Sequence, residues 1–361
     1  LLAAVREVGP LSAIGIDTWA VDYGLVNASG ALSTQVHAYR SARTRGVPEQ
    51  VFARIPAQEV YAINGLQVQD FNTLFQLMAQ DRDDGLPRES DGTDAHTLLL
   101  LPDLLACFLT GKRIAEVTNA STTGLVDACR RTWSLPLLER LRTEIGLDLD
   151  GLLPDIIEPG TVIGTVRPEA ADIFGPDGRP TPVIAVGSHD TASAVVAVPA
   201  TDPDFAYISC GTWSLVGLEL EEPVLTLASR TANFTNELGV DHTVRYLKNV
   251  MGLWVFNEAV RTWRQQGLDL DYAELDAAAG AAEPLEAFKF RAQNAGAHQI
   301  IAKPQPSARH HAPRLLLLCQ IGRAAQQPGQ QHDLQQQAEH AEKHEAQPGG
   351  QQPPQAVYAG A

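Results

Sequence analysis

Residues 183–198 read VIAVGSHDTASAVVAV, and this stretch restricts the possible folds more than any other in the chain. Val183 to Val186 has the uninterrupted, β-branched character of a strand buried on both faces. After Gly187 the period changes, because Ala192, Val195 and Val196 recur with helical spacing. A strand that passes through a short polar turn into a helix is the βα junction of an α/β protein. Strand ends and helix N-termini converge there on a cleft. The turn itself, Ser188-His189-Asp190-Thr191, admits two readings. An Asp or Ser before a helix caps it by accepting hydrogen bonds from the orphan N–H groups of the first turn; the same carboxylate at a strand end is also placed for chemistry. Consecutive Ser-His-Asp is not a hydrolase triad, since triad members meet through space and neighbours on an extended chain point apart.

The alternation of strand and helix continues on both sides. Residues 11–26 alternate like a strand and end in a hairpin-type turn at 27–30, after which 31–40 read as a returning strand. Residues 69–80 place Phe71, Leu74, Phe75 and Met78 on one helical face, and Leu98 to Leu109 predicts a buried helix closed by Thr110 and Gly111. Residues 134–146 predict an amphipathic helix, and 151–167 a Pro- and Gly-punctuated connection. Beyond a Pro/Asp linker at 199–204, FAYISCGTWSLVGLELEEP reads as strand, tight turn at Cys210-Gly211-Thr212, strand. Residues 246–264 read as a helix opened by LKNVMGLW, with Asn249 just before it as a cap. This pattern indicates a two-domain α/β architecture, and 361 residues at 44% apolar suffice for two cores.

Composition excludes several classes of function. A formal net charge of −16 leaves no basic field to meet phosphates, so nucleic acid is not an expected partner. The longest apolar run, 98–109, is interrupted by Pro102 and Asp103 and is too short to span a bilayer, so no membrane partner is expected. Cys107, Cys129, Cys210 and Cys319 show no CxxC pairing and read as buried thiols in a reducing compartment. No signal peptide is visible, and the chain, starting at Leu1, reads as beginning mid-protein. After about residue 290 the character changes. There is no aromatic residue between Phe290 and Tyr358, and six of the ten histidines fall between His298 and His344 in spacings that fit no metal-ligand template. Such a segment is expected to be disordered.

Three further segments carry candidate chemistry. In CGTWSLVG, Gly211 permits the close backbone approach a polyphosphate requires, and Thr212 offers an N–H and a hydroxyl. In GIDTWAVDYG, Asp17, Asp22 and Trp19 are a ligand-facing set or, equally, a strand rim with solvated acids. Asn249 in LKNVMGLW is a contact or a cap. Taken in order, GIDTWAVDYG, FNTLFQL, LLLLPDLLACFLTGK, TNASTTGLVD, VGSHDTASAV, SCGTWSLVG and LKNVMGLW resemble the FGGY carbohydrate kinase family from about residue 10 to 265. Within it, GTWSL, LKNVMGLW and SHDTASAV resemble the branch that phosphorylates L-rhamnulose.

The resemblance implies an actin-like (ribonuclease H-like) two-domain α/β ATPase fold, incomplete at both ends. Residues 1–199 are then a first domain on the sugar side, lacking its first phosphate hairpin. Residues 204–290 begin the second, nucleotide-side domain, and 291–361 are a low-complexity tail, disordered or out of frame, where a glycine-rich adenosine-binding turn is expected. The implied reaction is cytoplasmic, uses ATP and Mg²⁺, and converts L-rhamnulose to L-rhamnulose 1-phosphate. Mg²⁺ would be carried by phosphates and water, with no all-protein metal site. By resemblance, Asp190 is the catalytic base; His189, Thr191, Ala20 and Asn249 contact the ketose, Ala20 standing where the family has Gly. Thr212 and Asn257 contact ATP, Asn257 standing where the family usually has Gln. The rival expectations are a kinase for another ketose, such as L-fuculose or xylulose, and a non-catalytic sugar-binding remnant. With one hairpin and the adenosine turn missing, the chain alone is not expected to be a competent kinase.

Overall fold

The computed structural model of the chain describes residues 9–87, 96–202, 205–211, 213–267, 271–275 and 314–318. Its strands in chain order are β1 (Tyr23–Val26), β2 (Thr97–Leu100), β3 (Ala115–Glu116), β4 (Val126–Asp127), β5 (Thr132–Trp133), β6 (Ile156–Ile157), β7 (Val162–Thr165), β8 (Pro182–Ile184), β9 (Phe205–Cys210), β10 (Trp213–Leu220), β11 (Thr235–Leu238), β12 (Val244–Met251) and β13 (Arg314–Leu318). On the N-terminal side they form the pairs β1–β2, β3–β6, β4–β5 and β7–β8; on the C-terminal side one sheet runs in the order β11-β12-β10-β9-β13.

The largest core lies under β1 and β2. Their sequences, YGLV and TLLL, are apolar almost throughout, and both strands are buried nearly end to end. Leu25, Leu98 and Leu100 pack with Leu74, Phe75 and Leu77 of the helix Thr73–Asp83; each such side chain contributes about 1.5–3 kcal/mol on burial. The helix Leu101–Thr110 follows β2 without a loop. Pro102 sits in its first turn, where a missing N–H costs nothing, and Gly111 ends it at φ 75°, a left-handed conformation suited to glycine.

Several sequence expectations need correction. The run from Leu98 is strand to Leu100 and helix only from Leu101, because β1 takes up the backbone groups of 97–100 in an antiparallel ladder. Residues 31–40 do not return as a strand; only Leu32 bridges to Val26. The supposed connection 151–167 contains β6 and β7. Residues 246–251 are not helix but most of β12, flanked by β10 and β11, whose ladders claim its donors and acceptors; the helix Leu253–Gln265 begins only after Gly252. Asn249 is therefore a mid-strand residue and not a helix cap. Cys107 is buried as expected, Cys129 is exposed, Cys210 is half-buried, and Cys319 lies outside the described residues. Within the expected disordered tail, Arg314–Leu318 runs as β13 parallel to β9. Its four successive leucines make the uninterrupted apolar run that a parallel strand needs. The rest of that expectation falls outside the described residues.

One buried acid connects packing to pH. Asp103, in the first turn of the helix Leu101–Thr110, is 2% exposed, accepts the Glu116 backbone N–H at 3.2 Å through Oδ1, and has no partner for Oδ2 among the described residues. Burial, reinforced by the charge of Glu116, holds its pKa well above the ordinary carboxylate range. The folded state therefore keeps a proton that the unfolded chain releases above about pH 3.9, so stability falls as pH rises from there through the raised folded value. Asp103→Asn mimics the protonated form and removes that decline. The difference in Tm between variant and wild type should thus grow in the variant's favour with rising pH; a pH-independent difference would show Asp103 charged in the fold.

Candidate active site

The polar turn after β8 is built from three directions. Residues 14–18 run parallel beside β8 and its continuation: Ile14 N–H donates to Pro182 O at 2.9 Å, Thr18 N–H to Ser188 O at 3.0 Å, and Asp190 N–H to Thr18 O at 2.9 Å. Gly15 allows this approach, since a Cβ there would lie 2.6 Å from Val186 Cγ1. From behind, Glu116 accepts the Ser188 N–H at 3.0 Å and the Ser188 hydroxyl at 2.6 Å, while Thr118 Oγ1 accepts the His189 N–H at 3.2 Å. From the C-terminal sheet come Arg245 of β12 and Glu237 of β11. Arg245 donates to Thr191 Oγ1 at 2.7 Å and, through Nη2, to His189 Nδ1 at 3.1 Å, and pairs with Glu237 Oε2 at 3.0 Å.

The helix Asp190–Val196 starts with His189 at its N-cap and receives no side-chain capping bond. Ser188 has its hydroxyl committed to Glu116, and Asp190 is the first helical residue, its carboxylate accepting the N–H of its neighbour Thr191 at 2.7 Å. The Asp190 side chain is 52% exposed, and it opens into a cleft of about 1010 Å³, solvent-open space included. Ala20, His189, Asp190, Thr191 and Asn249, chosen from the sequence, all line this cleft. The cleft walls withhold bulk water from Asp190, and that desolvation raises its pKa; Asp17 and Glu237 add to the rise, while the Thr191 N–H and Arg245 oppose it. His189 is driven the other way. Its burial, with the Arg245 charge adjacent, holds its pKa well below the usual imidazole value, so the ring is neutral.

The opposite wall is a strained turn. Val21 has φ 69°, an outlier for a β-branched residue, and it is held there because its carbonyl accepts bonds from Thr73 Oγ1 at 2.8 Å and Gln76 Nε2 at 3.2 Å. Trp19, 51% exposed above the cleft, donates its indole N–H to Asp22 at 2.9 Å. Asp22 is therefore a buried structural acceptor, not a solvated rim acid, whereas Asp17 is exposed. Across the cleft, Asn249 Nδ2 donates to Gln67 Oε1 at 3.2 Å. Of the two residues expected on the nucleotide side, Thr212 lies outside the described residues, and Asn257 is exposed on the helix Leu253–Gln265 and does not line the cleft. Sequence reasoning missed Arg245, Glu237, Gln67 and Glu116. The available signal was a charge inside each of two strand-like runs, TNEL and TVRYL, which reads equally as a solvated face.

Among the described residues no helix is long and apolar enough to cross a membrane. Residues 8–197 match the N-terminal domain, and residues 206–314 the C-terminal domain, of the FGGY family of carbohydrate kinases. The chain is 43% identical over 276 residues to a rhamnulokinase of Bacteroides thetaiotaomicron, covering 76% of this chain and 53% of that protein. It is 39% identical over 279 residues to a rhamnulokinase of Enterococcus faecalis, covering 77% and 53%. The chain thus spans about half the length of the curated relatives it matches. Among solved structures it superposes on a ligand-bound xylulose kinase of Lactobacillus acidophilus with TM-score 0.64 at 20% identity, over 79% of this chain and 55% of that one. A Plasmodium falciparum glycerol kinase with ADP gives TM-score 0.62 at 16% identity, over 76% and 53%. These likenesses establish the two-domain, actin-like (ribonuclease H-like) α/β fold.

Glu116 gives the site a stability test. Glu116→Gln replaces one acceptor oxygen with an amide N–H₂ that would face the donors Ser188 and Thr118. The variant should lose about 2–4 kcal/mol of stability, read as a lower urea midpoint. An unchanged midpoint would mean that the turn does not depend on this carboxylate.

Proposed function

Because the chain belongs to the FGGY family of carbohydrate kinases, we propose that it carries the sugar-side machinery of an ATP-dependent kinase that converts L-rhamnulose to L-rhamnulose 1-phosphate. The observation that carries this reading is the convergence of Ala20, His189, Asp190, Thr191 and Asn249 on one cleft. Identity of 36–43% to curated rhamnulokinases supports the choice of ketose.

Asp190 is the base. A sugar hydroxyl is a poor nucleophile, and a positioned carboxylate removes its proton as the oxygen bonds to the γ-phosphorus and the bond to the bridging oxygen of the leaving ADP breaks. A raised pKa makes the carboxylate a better proton acceptor. His189, Thr191 and Asn249 hold the ketose hydroxyls, with Trp19 as an apolar wall. Ala20 narrows the pocket by one methyl relative to glycine. Thr212 and Asn257 are assigned to the nucleotide. Among the described residues no group of three or more His, Cys, Asp or Glu side chains is arranged to cage a metal ion. Mg²⁺ would be carried by the polyphosphate and water, with Asp190 and its neighbour Asp17 as the nearby acids. When bound, the ion supplies charge neutralisation of the transferring phosphoryl group.

In a full-length kinase carrying this segment, Asp190→Asn should lower kcat by on the order of 10²–10⁴ while ketose binding persists. The wild-type rate should also fall as pH drops through the Asp190 pKa, at a pH above the ordinary carboxylate value of about 3.9, since the base must be unprotonated. Turnover of the variant within a few-fold of wild type would place the base elsewhere. In a ketose panel, kcat/KM should be higher for L-rhamnulose than for L-fuculose or D-xylulose, because a site built to pair particular hydroxyls rejects analogues that leave its groups unpaired. Equal or reversed ratios would defeat the assignment of substrate.

A further inference from the structure

His189 has two ring nitrogens, and which one carries the proton decides what it can offer a ligand in the cleft. Arg245 is the group that bears on this choice. Its side chain is 1% exposed and it comes from β12, in the other domain from the polar turn. A guanidinium can only donate, so the Nη2 contact at 3.1 Å requires a lone pair on His189 Nδ1. The remaining proton is then on Nε2, which lies 3.1 Å from Thr191 Oγ1 and 3.5 Å from Asp190 Oδ1. Glu237 Oε2 is also near Nδ1, at 3.4 Å, but it is engaged more closely by Arg245 Nη2 at 3.0 Å. A proton on Nδ1 would meet the Arg245 donor head-on.

We infer that Arg245 is a positioning residue that fixes His189 as its Nε2–H tautomer, so that the imidazole presents a hydrogen-bond donor beside Asp190 in the cleft. Arg245 fixes Thr191 as well, because Nη1 donates to its hydroxyl at 2.7 Å. Through one buried cation the C-terminal sheet thus sets the donor and acceptor pattern of two residues on the turn. Glu237 balances the cation, and its carboxylate is likewise buried, with a pKa raised by burial and lowered in part by Arg245.

The charged and titratable groups around His189 are Asp190 on its own helix, Glu237 on β11 and Arg245 on β12. Glu116 lies behind Ser188, and Asp17 is near Asp190 on the segment beside β8. Of these only Arg245 is a cation, so it both directs the tautomer and opposes protonation of the ring. Its loss would leave His189 facing carboxylates alone. The catalytic meaning of the tautomer rests on the kinase reading above, but the tautomer itself does not.

The test is long-range ¹H–¹⁵N NMR of the histidine side chains in the full chain, with His189→Gln identifying the His189 signals. In wild type His189 should show the Nε2–H pattern and no titration between about pH 5 and 8. In Arg245→Met, with Glu237 retained, it should take up a proton within that range. In Arg245→Met/Glu237→Met, which removes the whole ion pair and guards against misfolding from an unpaired buried charge, the ring should stay neutral but populate both tautomers within about tenfold of each other. Arg245→Lys should give an intermediate pattern, since an ammonium keeps the charge without the planar fork. A wild-type His189 that is cationic or protonated on Nδ1, or a pure Nε2–H pattern surviving in the double variant, would overturn the inference. Because none of these signals needs phosphoryl transfer, failure of a full-length kinase carrying this segment to phosphorylate the ketose would count against the proposed function and leave this result standing.

Discussion

The carboxylate of Glu116 holds the molecule's functional region together. It is 1% exposed, and it accepts bonds from Thr118 N–H, Thr118 Oγ1 and Asn119 N–H on its own segment and from Ser188 N–H and Oγ, 72 residues away. Among the described residues no basic side chain pairs with it; hydrogen-bond donors replace its water. A buried acceptor surrounded by donors is costly to break, because every donor loses its partner together. The neighbouring Asp103 follows from the same constraint. Two carboxyls so close and so buried do not both carry charge, and burial together with the Glu116 charge keeps the proton on Asp103. The polar turn with Asp190 at its end is thereby fixed before any ligand arrives, the condition under which the proposed base would act without reorganisation.

Much of this was legible in the chain. VIAVGSHDTASAVVAV gave strand, turn and helix because both periods are local and strong, and the structure has β8 ending at Ile184 and a helix starting at Asp190. LKNVMGLW misled because strand and helix meet at Gly252 with no polar break: Leu247 and Val250 have helical spacing, and only pairing with β10 and β11 overrides it. The N-terminal segment misled differently. Its alternation is broken at Val21, whose positive φ is imposed by Thr73 and Gln76, more than fifty residues distant. No local propensity encodes a conformation that a remote hydrogen bond enforces.

The site residues divide along the same line. Those in distinctive short motifs (Ala20, His189, Asp190, Thr191, Asn249) were singled out from the sequence, and they line one cleft. Arg245 and Glu237 were missed because their meaning lies in each other. A single charge in a strand is ordinarily solvated, and only the β11–β12 register, which sets Glu237 opposite Arg245, turns two unremarkable charges into one buried pair. The contacts that unite the two halves of the chain share this non-local character. Tyr61 bonds Ser229 at 2.7 Å, Asn236 reaches Gly65 O at 3.0 Å, and Leu238 N–H reaches Ser121 Oγ at 3.0 Å.

These arrangements leave one charge in the cleft unbalanced. Arg245 and Glu237 cancel at short range, His189 is neutral, and Asp22 is bound by the Trp19 indole. Among the described residues Asp190 has no Lys or Arg at hydrogen-bond distance, and its side chain stays half exposed. Its position at the first residue of a helix works toward a lower pKa, since the Thr191 N–H stabilises the anion. Desolvation by the cleft walls works toward a higher one and outweighs it. Had Arg245 pointed at Asp190 instead of His189 and Thr191, a salt bridge would have pulled the pKa down and weakened the group as a proton acceptor. By directing its guanidinium one residue to either side, the fold keeps the cation near enough to order the turn and leaves Asp190 free to take a proton.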